Sequence, residues 1–236
     1  MNNSIKETYN RLAKTYLRND QRDNPYNAYY ERPAMMAEMP LDLKGKSVLD
    51  AGCAAGWYLE RLVERGAVAT GIDISPEMIK CTHERLKERT TAFCHDLHDP
   101  LPFQEDSFDI IISSLTLHYI REWGFVFKEF ERALKRGGTI LFSVHHPFMD
   151  FSKHASENYF QTALLTETWK KLDTTIDISF YRRSLQEMIN VTVEHFQLEK
   201  VIEPRPQEKM KQINETDYLH LMSNPHFLII KAVSKK

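Results

Sequence analysis

Apolar positions along this chain keep two alternating rhythms. Ile5, Tyr9, Leu12, Ala13 and Tyr16 fall on one helical stripe, and Ser4-Ile5-Lys6-Glu7 fits a capping box with Ser4 as N-cap. Residues 18–32 are polar and tyrosine-rich (Tyr26, Tyr29, Tyr30) and read as irregular. A short helix is expected from Pro33 to Met39, closed by Pro40 and the Lys44-Gly45-Lys46 turn.

From there, short apolar runs alternate with helical patterns. Strand Ser47–Asp50 leads into helix Gly56–Arg65, and strand Ala67–Asp73 into a helix from Pro76 to about Glu88. Ser75 is the natural N-cap of that second helix, with Pro76 at its first position and Glu77 in its first turn. Strands Thr91–Cys94 and Phe108–Ser114 follow, then helix Trp123–Leu134 ending before Gly137-Gly138, then strand Thr139–Val144. Such alternation implies right-handed crossovers and a parallel sheet covered on both faces. Residues 145–177 break the rhythm with Phe148, Phe151, Tyr159, Phe160 and Trp169 among polar residues, and read as an inserted cap. A helix Ser184–Glu194, a strand Gln197–Ile202, a proline-rich turn at 203–206, a polar helical stretch to Met222 and a last strand His226–Val233 complete the chain.

The turn between the first strand and helix holds the most chemistry. Asp50-Ala51-Gly52-Cys53-Ala54-Ala55-Gly56 ends a buried strand on a carboxylate and opens a helix through small residues, so a ligand can approach unpaired amides. Asp73 ends the next strand 21 residues after Gly52, where an acid can accept both hydroxyls of a ribose. Together they indicate a nucleoside-containing cofactor.

Composition narrows the choice of partner. At 236 residues, with 42% hydrophobic and 27% charged positions, the chain suits one α/β domain with a modest insertion. A net charge of −2 gives no electrostatic footprint for a polyanion, so no nucleic-acid partner is expected. Cys53, Cys81 and Cys94 form no CxxC pair and read as reduced thiols. With no signal-peptide-like apolar core at the start and no membrane-length apolar run, a cytoplasmic protein without membrane contact is expected. His95-Asp96-Leu97-His98-Asp99 lacks any defined ligand spacing, so no metal is expected.

Val48-Leu49-Asp50-Ala51-Gly52-Cys53, Gly56 and Gly71-Ile72-Asp73-Ile74-Ser75 resemble the first motif and second-strand acid of class I S-adenosylmethionine-dependent methyltransferases. Asp96-Leu97, Leu101-Pro102-Phe103, Ser107-Phe108-Asp109 and Leu134-Lys135-Arg136-Gly137-Gly138 are similar to later motifs of the ubiquinone/menaquinone-type group, in order. The resemblance is strong over roughly residues 40 to 145, and 181–185 and 201–206 are similar to the tail of small-molecule members. It implies a Rossmann-like, doubly wound, seven-stranded, mostly parallel sheet with an antiparallel last strand. Around it would lie an N-terminal helical lid (1–40), a cofactor-binding core (41–145), a cap after strand five (146–180) and the rest of the sheet (181–236).

The same resemblance implies site roles. Gly52, Cys53 and Gly56 would underlie the methionine part of S-adenosylmethionine, and Asp50 would serve its ammonium. Asp73 would take the ribose, Ile74 and Leu97 would pack on adenine, and Asp96 would accept from its amino group. Ser114 and Leu115 would line the sulfonium region, and S-adenosylhomocysteine would be the product. The family often has glycine where this chain has Ala54, and alanine fits if φ there is negative.

The acceptor side is read from position. His118-Tyr119 and His145 follow strands four and five, where open α/β sheets place ligands, and either histidine could take a proton from an acceptor. Tyr9 and Tyr16 suit a lid over a sulfonium cation, and Tyr29 or Tyr30 with Arg32 could reach the methionine carboxylate. A small-molecule acceptor and a monomer or homodimer are expected. The competing readings are an NAD-dependent oxidoreductase, disfavoured by the Gly52-x-x-x-Gly56 spacing, and a non-catalytic regulator that keeps the cofactor.

Overall fold

The computed structural model describes residues 2–18, 24–154, 158–171 and 174–236. Seven strands form one sheet in the order β3-β2-β1-β4-β5-β9-β8. They are β1 (Ser47–Ala51), β2 (Val68–Asp73), β3 (Thr91–Cys94), β4 (Phe108–Ser114), β5 (Leu134–His145), β8 (Phe196–Ile202) and β9 (Phe227–Ser234). The first five are parallel neighbours, and β9 runs antiparallel between β5 and β8.

Strand alternation divides the core in two. Leu49, Ile111, Ile140 and Phe142 join one apolar cluster with Phe127 and Phe130 of α5 (Trp123–Ala133) and Met188 of α7 (Leu185–His195). Val48, Ile110, Ile112 and Leu141 point the other way. They meet Met35 of α2 (Arg32–Ala37), Leu59 of α3 (Trp57–Glu64) and Ile79 of α4 (Pro76–Leu86). A period of two along each buried strand thus produces the two covered faces. Ser75 caps α4 as expected, its side chain accepting from the Met78 amide at 3.1 Å.

Several boundaries differ from the sequence reading. Helix α1 (Asn2–Arg18) already includes residues 2 and 3, so Ser4 lies inside it and is not its N-cap. Residues 25–31 are helical, with a π-helical turn at Asn27–Glu31 running into α2; 19–23 lie outside the described residues. Burial of Tyr30 and Glu31 against the sheet organises this polar segment. Strand β5 starts at Leu134, pairing with Phe108 across a register shift, so the Gly137-Gly138 pair lies within the strand. The polar stretch near the end is two helices, α8 (Lys209–Ile213) and α9 (Glu215–Ser223).

The insertion after β5 has structure of its own. Helix α6 (Pro147–Lys153) leads to an antiparallel hairpin of β6 (Ala163–Lys171) and β7 (Thr174–Arg182), separate from the main sheet. Ile176, Ile178 and Phe180 of β7 are buried, and Ile176 packs with Leu12 and Ala13 of α1. The hairpin and α1 therefore stand together beside the carboxyl ends of β4 and β5. Among the described residues, no helix is long and apolar enough to cross a membrane.

Candidate functional site

The turn after β1 is tied to β2 rather than left free. The amides of Gly52 and Cys53 both donate to the Ile72 carbonyl, at 2.8 and 3.0 Å. Gly52 has φ +88°, and a Cβ on it would lie 2.1 Å from Thr116 Oγ1, so glycine is required on both grounds. Ala54 has φ +45°, not the negative value that would make alanine comfortable. Its amide donates to Asp73 Oδ2 at 2.9 Å and its carbonyl accepts from Thr82 Oγ1 at 2.7 Å, and these bonds hold the unfavourable conformation. Across the cleft Leu115 is also left-handed, at φ +48°, its amide reaching Ser143 O at 3.0 Å and Ser143 Oγ at 3.1 Å.

These turns edge a cleft of about 480 Å³, within the usual range for small-molecule sites. The structure brings Gly52, Cys53, Asp73, Ile74, Asp96, Leu97, Ser114, Leu115 and Tyr16 to its wall, with Tyr9 and Arg32. His118, Tyr119 and His145 line the same cleft toward the hairpin, where they meet Lys153, Glu167 and Trp169. Tyr29 and Tyr30 are not on the wall; Tyr30 is buried and packs on Phe227. Gly56 stands behind the turn as the left-handed N-cap of α3, facing Thr82.

Asp50 lies beneath the turn, 1% exposed, and neither carboxylate oxygen has a hydrogen-bond partner. Burial first, then the nearby carboxylates of Asp73 and Glu31, push its pKa well above the usual carboxylate range. Asp73 spends one interaction per oxygen, on Ala54 N and on Ser75 N at 2.8 Å, and keeps a further lone pair on each. Burial raises it to about 6 against the pull of those two amides. Asp96 Oδ1 accepts from the His98 amide at 3.0 Å and lies 2.7 Å from His98 Nδ1.

Glu31 escaped the sequence reading. It is 1% exposed and accepts hydroxyls from Tyr58 and Ser114, each at 2.8 Å, and from Ser143. Those donors come from α3, β4 and β5, so this single carboxylate fastens the N-terminal segment to the mouth of the sheet. Next to it, the Arg32 guanidinium lies 4.5 Å from the centre of the Trp57 ring.

The two candidate histidines stack on each other, ring centroids 4.2 Å apart and tilted by 20°. His118 is 2% exposed with neither ring nitrogen partnered, and burial holds its pKa well below the usual value, keeping it neutral. His145 lines the cleft while its Nδ1 is sealed from solvent. No group of three or more His, Cys, Asp or Glu side chains that could hold a metal occurs among the described residues.

Residues 49–142 match the model of a methyltransferase domain. An uncharacterized protein of Haemophilus influenzae is 27% identical over 98% of both chains. A malonyl-[acyl-carrier protein] O-methyltransferase of Herminiimonas arsenicoxydans is 36% identical over 47% of this chain but only 41% of its own length. Among solved structures, an S-adenosylmethionine-dependent methyltransferase of Mesorhizobium loti superposes with a TM-score of 0.69 at 26% identity, over 86% of this chain and 97% of that one. The site suits the cofactor of that fold on physical grounds: the glycine turn edges the cleft and Asp73 retains acceptor capacity at the end of β2, while Asp50 lies sealed and unpartnered beneath the turn, off the cleft wall. Residues 49–142 therefore carry a methyltransferase domain within a class I methyltransferase fold, and S-adenosylmethionine is its cofactor.

Proposed function

We propose that this chain methylates a small-molecule acceptor that reaches the cleft from the side of the hairpin. The observation that carries the reading is Asp50, a fully buried carboxylate without a partner directly under the strained turn. Such a group is costly unless a cation arrives to offset it. The ammonium end of S-adenosylmethionine is a cation of that kind. Asp73 would then hold the ribose, Asp96 with Ile74 and Leu97 the adenine, and Ser114 and Leu115 the sulfonium region. Bound S-adenosylmethionine supplies an electrophilic methyl group whose bonding electron pair stays on sulfur as S-adenosylhomocysteine forms.

The residues of the chain supply position and dryness, which for a pre-activated donor can account for many kcal/mol of acceleration. Tyr9 of α1 donates its hydroxyl to Tyr119 at 2.8 Å, and this contact supports the reading of α1 as a lid. Of the two histidines that line the cleft, His145 suits the proton-accepting role, because both ring nitrogens of His118 are sealed and unpartnered while only Nδ1 of His145 is. A proton acceptor serves any nucleophile that loses a proton on methylation, whether an O–H, an N–H or an activated C–H.

Calorimetry with S-adenosylhomocysteine and with NAD tests the donor half. Micromolar binding of the first and none of the second is expected, and the reverse would overturn the reading. Incubation with methyl-labelled donor and fractionated metabolites tests the acceptor half. Label is expected in a small molecule carrying a former O–H, N–H or activated C–H, and label in protein or RNA alone would refute it.

A further inference from the structure

On the reading of His145 as the proton acceptor, we propose that Asp150 is its positioning residue, holding the ring with Nδ1 protonated and Nε2 bare toward the cleft. Asp150 Oδ1 and His145 Nδ1 lie 3.5 Å apart. Each is sealed from solvent and each lacks a hydrogen-bond partner. Asp150 is 1% exposed in the first turn of α6, five residues along the chain from the histidine it faces. Two orphaned buried atoms, one acceptor and one able to donate, cost free energy until they meet. Catalytic hydrogen bonds are commonly this long in ligand-free sites and shorten when substrate closes the site.

The surroundings hold the ring. His118 stacks on one side at 4.2 Å, and the edge of Phe180 abuts the ring at 4.6 Å. Both contacts fix the plane of the ring; a half-turn within that plane would carry Nδ1 away from Asp150, so this pair selects the orientation. The ionisable groups around the pair are few. His226 has its ring centre 6.4 Å from that of His145, Arg183 stands behind His118, and His146 adjoins Asp150. None of these replaces Asp150 at Nδ1. When the acceptor heteroatom takes the methyl group, its proton passes to Nε2. The resulting imidazolium keeps its Nδ1 proton, shared with the Asp150 carboxylate. The alternative role for Asp150 is a first-turn acid that only favours the dipole of α6.

Long-range ¹⁵N–¹H NMR of the imidazoles in the full chain separates the two, with the His145 signal assigned by its loss in His145→Gln. Neutral His145 is expected as the Nδ1–H tautomer in the unsubstituted protein. That preference should be lost in Asp150→Asn and regained at least in part in Asp150→Glu. An Nε2–H tautomer in the unsubstituted protein, or no change in a folded Asp150→Asn, would overturn the proposal. Carbethoxylation of His145, followed by peptide mass spectrometry, gives a second readout and should slow in Asp150→Asn. Neither measurement uses the donor, so failure here is distinct from failure of methyl transfer or of cofactor binding. If Asp150→Asn does not fold, the tautomer of the unsubstituted protein still decides.

Discussion

The amide of Ala54, a residue held at φ +45°, donates to Asp73 Oδ2 at 2.9 Å. Left-handed backbone costs an L-residue about 1–2 kcal/mol. Glycine would remove that strain but add about 0.4–1 kcal/mol of chain entropy to the unfolded state. Ala54→Gly is therefore expected to raise stability by about 0.5–1 kcal/mol, read from the urea midpoint at constant slope. A fall in stability would mean that the methyl group packs more favourably than the backbone is strained. Because the same amide fixes Asp73, affinity for S-adenosylhomocysteine should change less than twofold.

How far the site could be read in advance follows from how local its causes are. The turn, Asp73 and the β1–β4 order lie in short segments whose spacing fixes their partners. The sign of φ at Ala54 is not legible in the sequence because it depends on bonds to Asp73 and Thr82, 19 and 28 residues away. Glu31 is illegible for a stronger version of that reason. Its donors Tyr58, Ser114 and Ser143 are 27, 83 and 112 residues distant, and its own neighbours look like a polar loop. The hairpin did leave a signal: Ile176, Ile178 and Phe180 alternate with Asp177 and Ser179, a strand period hidden by the surrounding aromatic residues.

Asp50 sets stability against binding. Its pKa is raised by burial, so the folded state binds its proton more tightly than the unfolded state. Its contribution is therefore fully present at acid pH and is lost as pH rises from the unfolded value toward the folded one. Asp73 acts in the same sense, between 3.8 and about 6. His118 has a lowered pKa and contributes the opposite slope, so the informative quantity is the difference between variants. Asp50→Asn should gain stability over the unsubstituted protein as pH rises from 4 to 8, reaching about 1–3 kcal/mol. It should also bind S-adenosylhomocysteine about 10- to 100-fold more weakly, the worth of a charge-assisted bond. Thermal melts across that pH range, with calorimetry at pH 8, check both. A difference in melting temperature that stays flat with pH would show that the pKa of Asp50 is not raised in the folded protein.

Glu31 is predicted to hold the N-terminal segment on the sheet. Glu31→Ala leaves three hydroxyls without their acceptor, buried ones on Tyr58 and Ser143 and a half-buried one on Ser114. An expected loss of about 2–4 kcal/mol follows from unsatisfied buried groups. Hydrogen exchange should localise the damage, with amides of α2 losing protection before those of β1 and β4. Uniform loss across the sheet would mean that Glu31 supports the whole fold and not the N-terminal attachment.

Tyr9 provides the closing test of the lid. Its hydroxyl donates to Tyr119 at 2.8 Å, and its ring lies edge-on to that of Tyr119 with centroids 5.6 Å apart. Phenylalanine keeps the ring contact and deletes only the bond, so the expected cost is about 1 kcal/mol. If α1 closes over bound cofactor, that cost falls on the closed state, and S-adenosylhomocysteine should dissociate about fivefold faster from Tyr9→Phe. Global stability should meanwhile change little, since the core of α1 rests on Leu12 and Ala13 against Met78. Stopped-flow displacement and a urea melt, measured on the same sample, distinguish the outcomes. Lost stability with an unchanged dissociation rate would make α1 a packed helix of the fold, with no part in retaining the cofactor.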